Sequence, residues 1–256
     1  MQGDGETPEQ STKESVMDLT YELVFTVFPY VCLVTFVVGH SYRYVTDRYA
    51  WNARSSEFLE KKNLFWGSVL FHVGIILTFV GHAGGLLIPQ KYFDLFGIDS
   101  QMHLAIAHWS GEVVGIAAFA GCLLLLWRRI TNRRVRAAGT LNDLITLGTL
   151  ALVIATGVYN VFFGGYNVLD SVAPWIRGIV TFSPDSELMR PVPLSFKIHV
   201  SAAWILLGFS PFSRLVHIWS VPLFYFFRHR ILFRRRPGQP VRPAVISRFE
   251  AGGKEG

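Results

Sequence analysis

The sequence predicts an all-α, polytopic membrane protein: five transmembrane helices with a four-histidine core between the second and the fifth. Three observations predict it. Charged residues make up 16% of the 256-residue chain, against roughly 25% in a soluble domain. Five long apolar runs alternate with polar connections. Lys and Arg are distributed unevenly among those connections. Segments 40–63, 128–140 and 224–256 hold 5, 5 and 8 of them, whereas 1–18, 89–103 and 164–194 hold 1, 1 and 2. This bias places the N-terminus outside and the C-terminus in the cytoplasm. The net charge of +6 comes from the inner loops, so it marks a bilayer protein and not a nucleic-acid binder.

Residues 1–18 read as a polar extracytoplasmic tail, with Lys13 against five acids, and are expected to be mobile. No signal peptide is expected, because this stretch is acidic and polar. The membrane domain spans 19–227. Its first run, 19–39, carries Glu22 and an interior Pro29, which membrane helices tolerate through local adjustment. The loop to residue 62 mixes bases with Tyr and Trp and suits the interface.

The second run, 64–88, has no Asp, Glu, Lys or Arg, yet carries His72 and His82. Ionisable groups at membrane depth are rare and functional. Gly67, Gly74 and Gly81 recur every seven residues, leaving room for something flat or close to approach. Pro89 ends the run. The third run, 104–127, stops at RRITNRRVRAAG. The fourth, 141–163, opens with Asn142 and Asp143, where a negative group suits a helix N-terminus. In the 164–194 connection PWIRG is expected to form a short surface helix. The fifth run, from about Leu194 to Phe227, is too long for one perpendicular span. Tilt, a bend at Pro211 or emergence from the membrane would accommodate it. Residues 228–256 form a basic cytoplasmic tail.

The fifth run carries His199 and His217. Eighteen residues are five helical turns, so both rings are expected to leave the same face, about 27 Å apart. His72 and His82 lie about 15 Å apart. Since the two runs cross the membrane in opposite directions, His72 pairs with His217 near the inner surface and His82 with His199 near the outer one. The unequal spacings predict tilted or splayed helices. Imidazoles paired across helices are natural axial ligands for haem and suit electron transfer. Cys32 and Cys122 belong to no CxxC or CxxCH pattern, so any haem is held non-covalently. A haem-free membrane transporter is the alternative from another class.

Five further groups are candidates. His108 and Glu112 are i,i+4 partners near the outer end of the third run, placed to move protons or bind a quinol head group. His103 and Lys91 lie in the preceding connection. Arg214, one turn before His217, can reach a haem propionate, as can Arg43 or Arg48. His40 and His229 read as interfacial residues.

Several stretches resemble the gamma (cytochrome b) subunit of membrane-bound respiratory nitrate reductase. They are FPY at 28–30, YAWNARSSEFLEKK at 49–62, GSVLFHVGIILTFVGH at 67–82, PLSFKIH at 193–199 and PFSRLVHIWSVP at 211–222. The resemblance covers about residues 20–236. It implies a five-helix subunit with two haems b, the inner on His72 and His217 and the outer on His82 and His199. It also implies quinol oxidation at the outer haem, with electrons passing inward to an iron–sulfur beta subunit and a molybdenum-containing alpha subunit. Some members carry a lysine near the end of the 89–103 connection, linked to quinol binding. Here that region reads GIDSQMH, the nearest lysine is Lys91, and His103 or His108 would substitute. A diheme anchor of another quinone-linked enzyme, of formate dehydrogenase or hydrogenase type, is the nearer alternative.

Overall fold

The computed structural model describes residues 8–46 and 62–219. Among these the regular structure is helical, with no strand. Among the described residues four helices are long and apolar enough to cross a membrane: Thr12–Thr46, Asn63–Leu87, Ser100–Thr131 and Leu141–Phe163. Their outward faces are apolar, with Val34, Phe79, Val113 and Leu152 all exposed, as lipid-facing positions must be. Arg48, His229, the 228–256 tail and most of the 49–62 motif lie outside the described residues.

The first helix begins earlier than expected. α1 (Pro8–Glu22) passes through a π-helical turn, Leu23–Val27, into α2 (Phe28–Thr46). More than half of the segment read as a mobile tail is therefore helical. Polar contacts at its base explain why: Arg190 pairs with Asp18, and the Ser186 hydroxyl donates to Glu22 at 2.8 Å. Pro29 accounts for the turn. It has no N–H for the carbonyl four residues back, which is that of Phe25. The indole N–H of Trp175 takes that carbonyl at 2.8 Å instead. Trp175 lies on α8 (Val172–Val180) and is fully buried with Ile179. The helix expected at PWIRG therefore forms, as a buried brace against the first helix.

α3 (Lys62–His82) ends in a second π-helical turn, Ala83–Leu87. Ile88 is then extended (φ −82°, ψ 119°), as the residue before a proline prefers. α4 (Gln90–Asp94) leads to α5 (Ser100–Thr131), whose first turn is capped by the Asp99 carboxylate at 2.8 Å from the Met102 N–H. The glycine stripe of α3 does two things. A methyl at Gly74 would strike the Ala118 backbone of α5, while one at Gly81 would meet nothing within 4 Å. Gly121 of α5 faces the Phe71 backbone in the same way. α3 and α5 thus pack backbone to backbone at one level and leave open space at another.

Asn132 caps the short α6 (Arg133–Ala137). α7 (Leu141–Phe163) starts in a capping box between Thr140 and Asp143. α9 (Leu194–Phe209) is where the expectation fails. The fifth run is not one helix. It breaks at Pro211 into two 3₁₀ turns, Ser210–Phe212 and Arg214–Ile218. His199 and His217 therefore do not share one helical face as their five-turn spacing suggested, although the bend at Pro211 is real. The freed carbonyls find polar partners. Arg43 donates to Pro211 O at 2.7 Å and Ser213 O at 3.1 Å. Asn142 donates to Phe212 O at 2.8 Å. Non-helical backbone within an apolar layer requires such partners.

Candidate functional site

The four histidines meet as two pairs. His72 of α3 faces His217, with ring centroids 6.0 Å apart and planes at 66°. His82, at the end of α3, faces His199 of α9 at 6.2 Å and 39°. His217 reaches His72 from the 3₁₀ turn that follows the break at Pro211 and not from the body of α9.

Every Nδ1 in these pairs lies against a backbone carbonyl. His72 reaches Ser68 O at 2.8 Å, His82 reaches Thr78 O at 2.9 Å, and His217 reaches Arg214 O at 2.6 Å. His199 reaches Val153 O on α7 at 3.0 Å. A carbonyl only accepts, so each Nδ1 carries its ring's proton. Each Nε2 then holds the lone pair that a metal needs. An imidazole–metal bond is about 2 Å, so two rings ligating one iron from opposite sides have centroids roughly 6 Å apart. Both the spacing and the tautomers fit axial ligation of haem. The open space at Gly81 and Gly84, where an added methyl meets nothing within 4 Å, leaves room beside His82.

The other candidates are placed as follows. Arg214 is engaged by Asp143, with Nη2 2.8 Å from Oδ2 and Nε against Oδ1. Arg129 shares the same carboxylate, Nη1 at 3.0 Å. Arg43 holds the carbonyls at the break. His40, expected at the interface, is buried, with Nε2 3.2 Å from the Ser210 hydroxyl. His108 and Glu112 form the expected i,i+4 pair at 3.3 Å. His103 is buried, its ring 4.2 Å from that of Phe93. Its Nδ1 meets Gln90 Oε1 at 2.8 Å, and Gln90 is oriented by donating to Asp94 Oδ1 at 2.8 Å and Ile98 O at 2.9 Å. Lys91 lies over Tyr92, away from this knot, its Nζ 5.1 Å from the ring centre.

Asp143, Asn142, Thr156 and Gln90 were not among the sequence-derived site residues. Asp143 carried a signal, as an acid in an apolar run beside an arginine-rich loop. The others are ordinary polar residues whose roles need the tertiary contacts.

Comparison with known proteins identifies the family. The family model for the nitrate reductase gamma subunit matches residues 21–236. The nitrate reductase gamma chain of Bacillus subtilis is 39% identical over 219 residues, covering 84% of this chain and 98% of that one. The respiratory nitrate reductase 2 gamma chain of Escherichia coli is 34% identical over 217 residues, covering 83% and 96%. A cytochrome b-like subunit of an Hdr-like menaquinol oxidoreductase from Archaeoglobus fulgidus is 26% identical over 155 residues, 60% of this chain and 46% of that one. With a matched family model over most of its length and two near-full-length gamma chains above 30% identity, this chain belongs to the nitrate reductase gamma subunit family.

Proposed function

We propose that the chain oxidises quinol at the outer face of the cytoplasmic membrane and delivers the electrons to a cytoplasmic iron–sulfur beta subunit, which serves a molybdenum-containing alpha subunit. The observation that carries this reading is the pair of facing imidazole sets with every Nδ1 held by a carbonyl. His72 with His217 would hold the inner haem b, and His82 with His199 the outer one. Bound there, the two haems supply one-electron transfer between the surfaces. The alternating Lys and Arg content of the connections supports five spans with the N-terminus outside. The basic inner loops and tail then form the docking side for the partner subunits.

The outer end of the chain supplies the groups a quinol site needs. Quinol oxidation must separate protons from electrons, a pair of each per quinol. His108 and Glu112 form a half-exposed acid–base pair that passes protons to the outside. The buried His103, with its Nδ1 on Gln90, presents Nε2 toward Gly85, and Lys91 lies on the same α4–α5 segment. The Archaeoglobus relative is named a cytochrome b-like subunit of an Hdr-like menaquinol oxidoreductase, which supports menaquinol as the substrate class. Arg214 remains the propionate candidate beside His217, its guanidinium oriented by Asp143. Proteoliposomes of the whole complex, oxidising a menaquinol analogue with nitrate, test the reading. Protons should appear on the face opposite the nitrate-reducing subunit. Protons on the same face would contradict it.

A further inference from the structure

Helix α7 contains no histidine, yet it reaches both histidines that the fifth run contributes. We infer that α7 is their orienting element: Thr156 and Val153 fix the ring of His199, and Asp143 fixes His217 through Arg214. These are positioning residues, and the inference rests on the reading that the histidine pairs hold haem.

The two histidines of α3 hold themselves. His72 and His82 each bond the carbonyl four residues back on their own helix. His199 does not. Its Nδ1 crosses to Val153 O at 3.0 Å and to the Thr156 hydroxyl at 3.1 Å. That hydroxyl already donates to Leu152 O and Val153 O, both at 2.9 Å, so it faces the ring N–H as an acceptor. Gly157 completes the seat, since a Cβ there would lie 2.9 Å from His199 Cε1. Residues 153, 156 and 157 share one helical face, so the cradle is a single surface of α7.

At the other end of α7, about 20 Å away, Asp143 is 4% exposed. It accepts from Arg129 and Arg214. The Arg214 carbonyl in turn accepts from His217 Nδ1 at 2.6 Å. A single 3₁₀ turn has little stability of its own. Asn142 bonding Phe212 O at 2.8 Å ties the preceding 3₁₀ turn, Ser210–Phe212, to the start of α7 as well. Both ligands of the fifth run are thus set by one helix that ligates nothing. An acceptor on the other ring nitrogen fixes the plane and basicity of a ligating imidazole, and hydrogen bonding around the ligands is a lever on haem potential.

The test uses the membrane-bound complex, with redox titration of each haem and electron paramagnetic resonance of the oxidised state. Thr156→Val removes one acceptor from His199 and leaves a less basic imidazole. It should raise the midpoint of the haem on His82 and His199 and shift that haem's low-spin signal, leaving the other haem unmoved. Thr156→Ser, which keeps the hydroxyl, should restore both. Asp143→Asn should move the signal of the His72–His217 haem alone. If that variant does not assemble, Asp143→Glu, which keeps the charge but displaces the carboxylate, is read with the same expectation. Two wild-type haem signals left unmoved by these changes, or moving together in each variant, would overturn the role of α7 alone. A wild-type complex without two low-spin haem signals would overturn the haem reading itself.

Discussion

The Trp175 indole N–H and the Phe25 carbonyl lie 2.8 Å apart across 150 residues of sequence. The bond exists because Pro29 cannot serve that carbonyl. Trp175→Phe leaves the carbonyl without its indole partner, at a cost of about 1–3 kcal/mol, on top of the packing lost with the smaller ring. Adding Pro29→Ala restores an N–H at position 29, so the Trp175→Phe penalty should shrink in the double variant. Thermal unfolding of the four proteins in detergent measures the coupling. Equal penalties with and without Pro29 would show that the proline and the indole are unconnected.

Gly74 and Gly81 should respond differently to the same substitution. Gly74→Ala drives a methyl into the Ala118 backbone, and forcing α3 from α5 costs about 1–3 kcal/mol. Gly81→Ala meets no protein atom and should not destabilise the haem-depleted protein. Unfolding midpoints of the haem-depleted variants decide this. Equal losses at both positions would contradict the split into a packing site and an open one.

Quinol reactivity should depend on the outer polar groups. His103→Gln, with both haems intact, should slow haem reduction by a menaquinol analogue at least about tenfold while leaving dithionite reduction normal. Parallel variants at Lys91, His108 and Glu112 map the rest of the site. Unchanged stopped-flow rates in all four would remove these residues from quinol oxidation.

Much of this arrangement could be read from residues alone, and the exceptions have physical causes. Apolar run lengths identified the four helices long enough to cross a membrane. Antiparallel direction was enough to match His72 with His217 and His82 with His199, and these pairs meet in the fold. The shared face expected for His199 and His217 fails because helical spacing does not register a backbone break whose carbonyls are taken by side chains far away in sequence. Arg43, Asn142 and the Pro211 region form such a set. The bond of Arg214 to Asp143 was not legible because it spans 71 residues. The start of α1 at Pro8 was hidden because Asp18 and Glu22 are secured by Arg190 and Ser186 of a distant loop.

The pairing of ligands is the centre of this account, and haem counting in single-histidine variants tests it most directly. Pyridine haemochrome analysis of the purified wild-type protein should give two non-covalent haems b per chain. His72→Ala and His217→Ala should each lose the same haem, judged by its potential and spectrum, and His82→Ala and His199→Ala should each lose the other. Variants of His72 and His82 losing one common haem, or a wild-type protein with fewer than two, would contradict it.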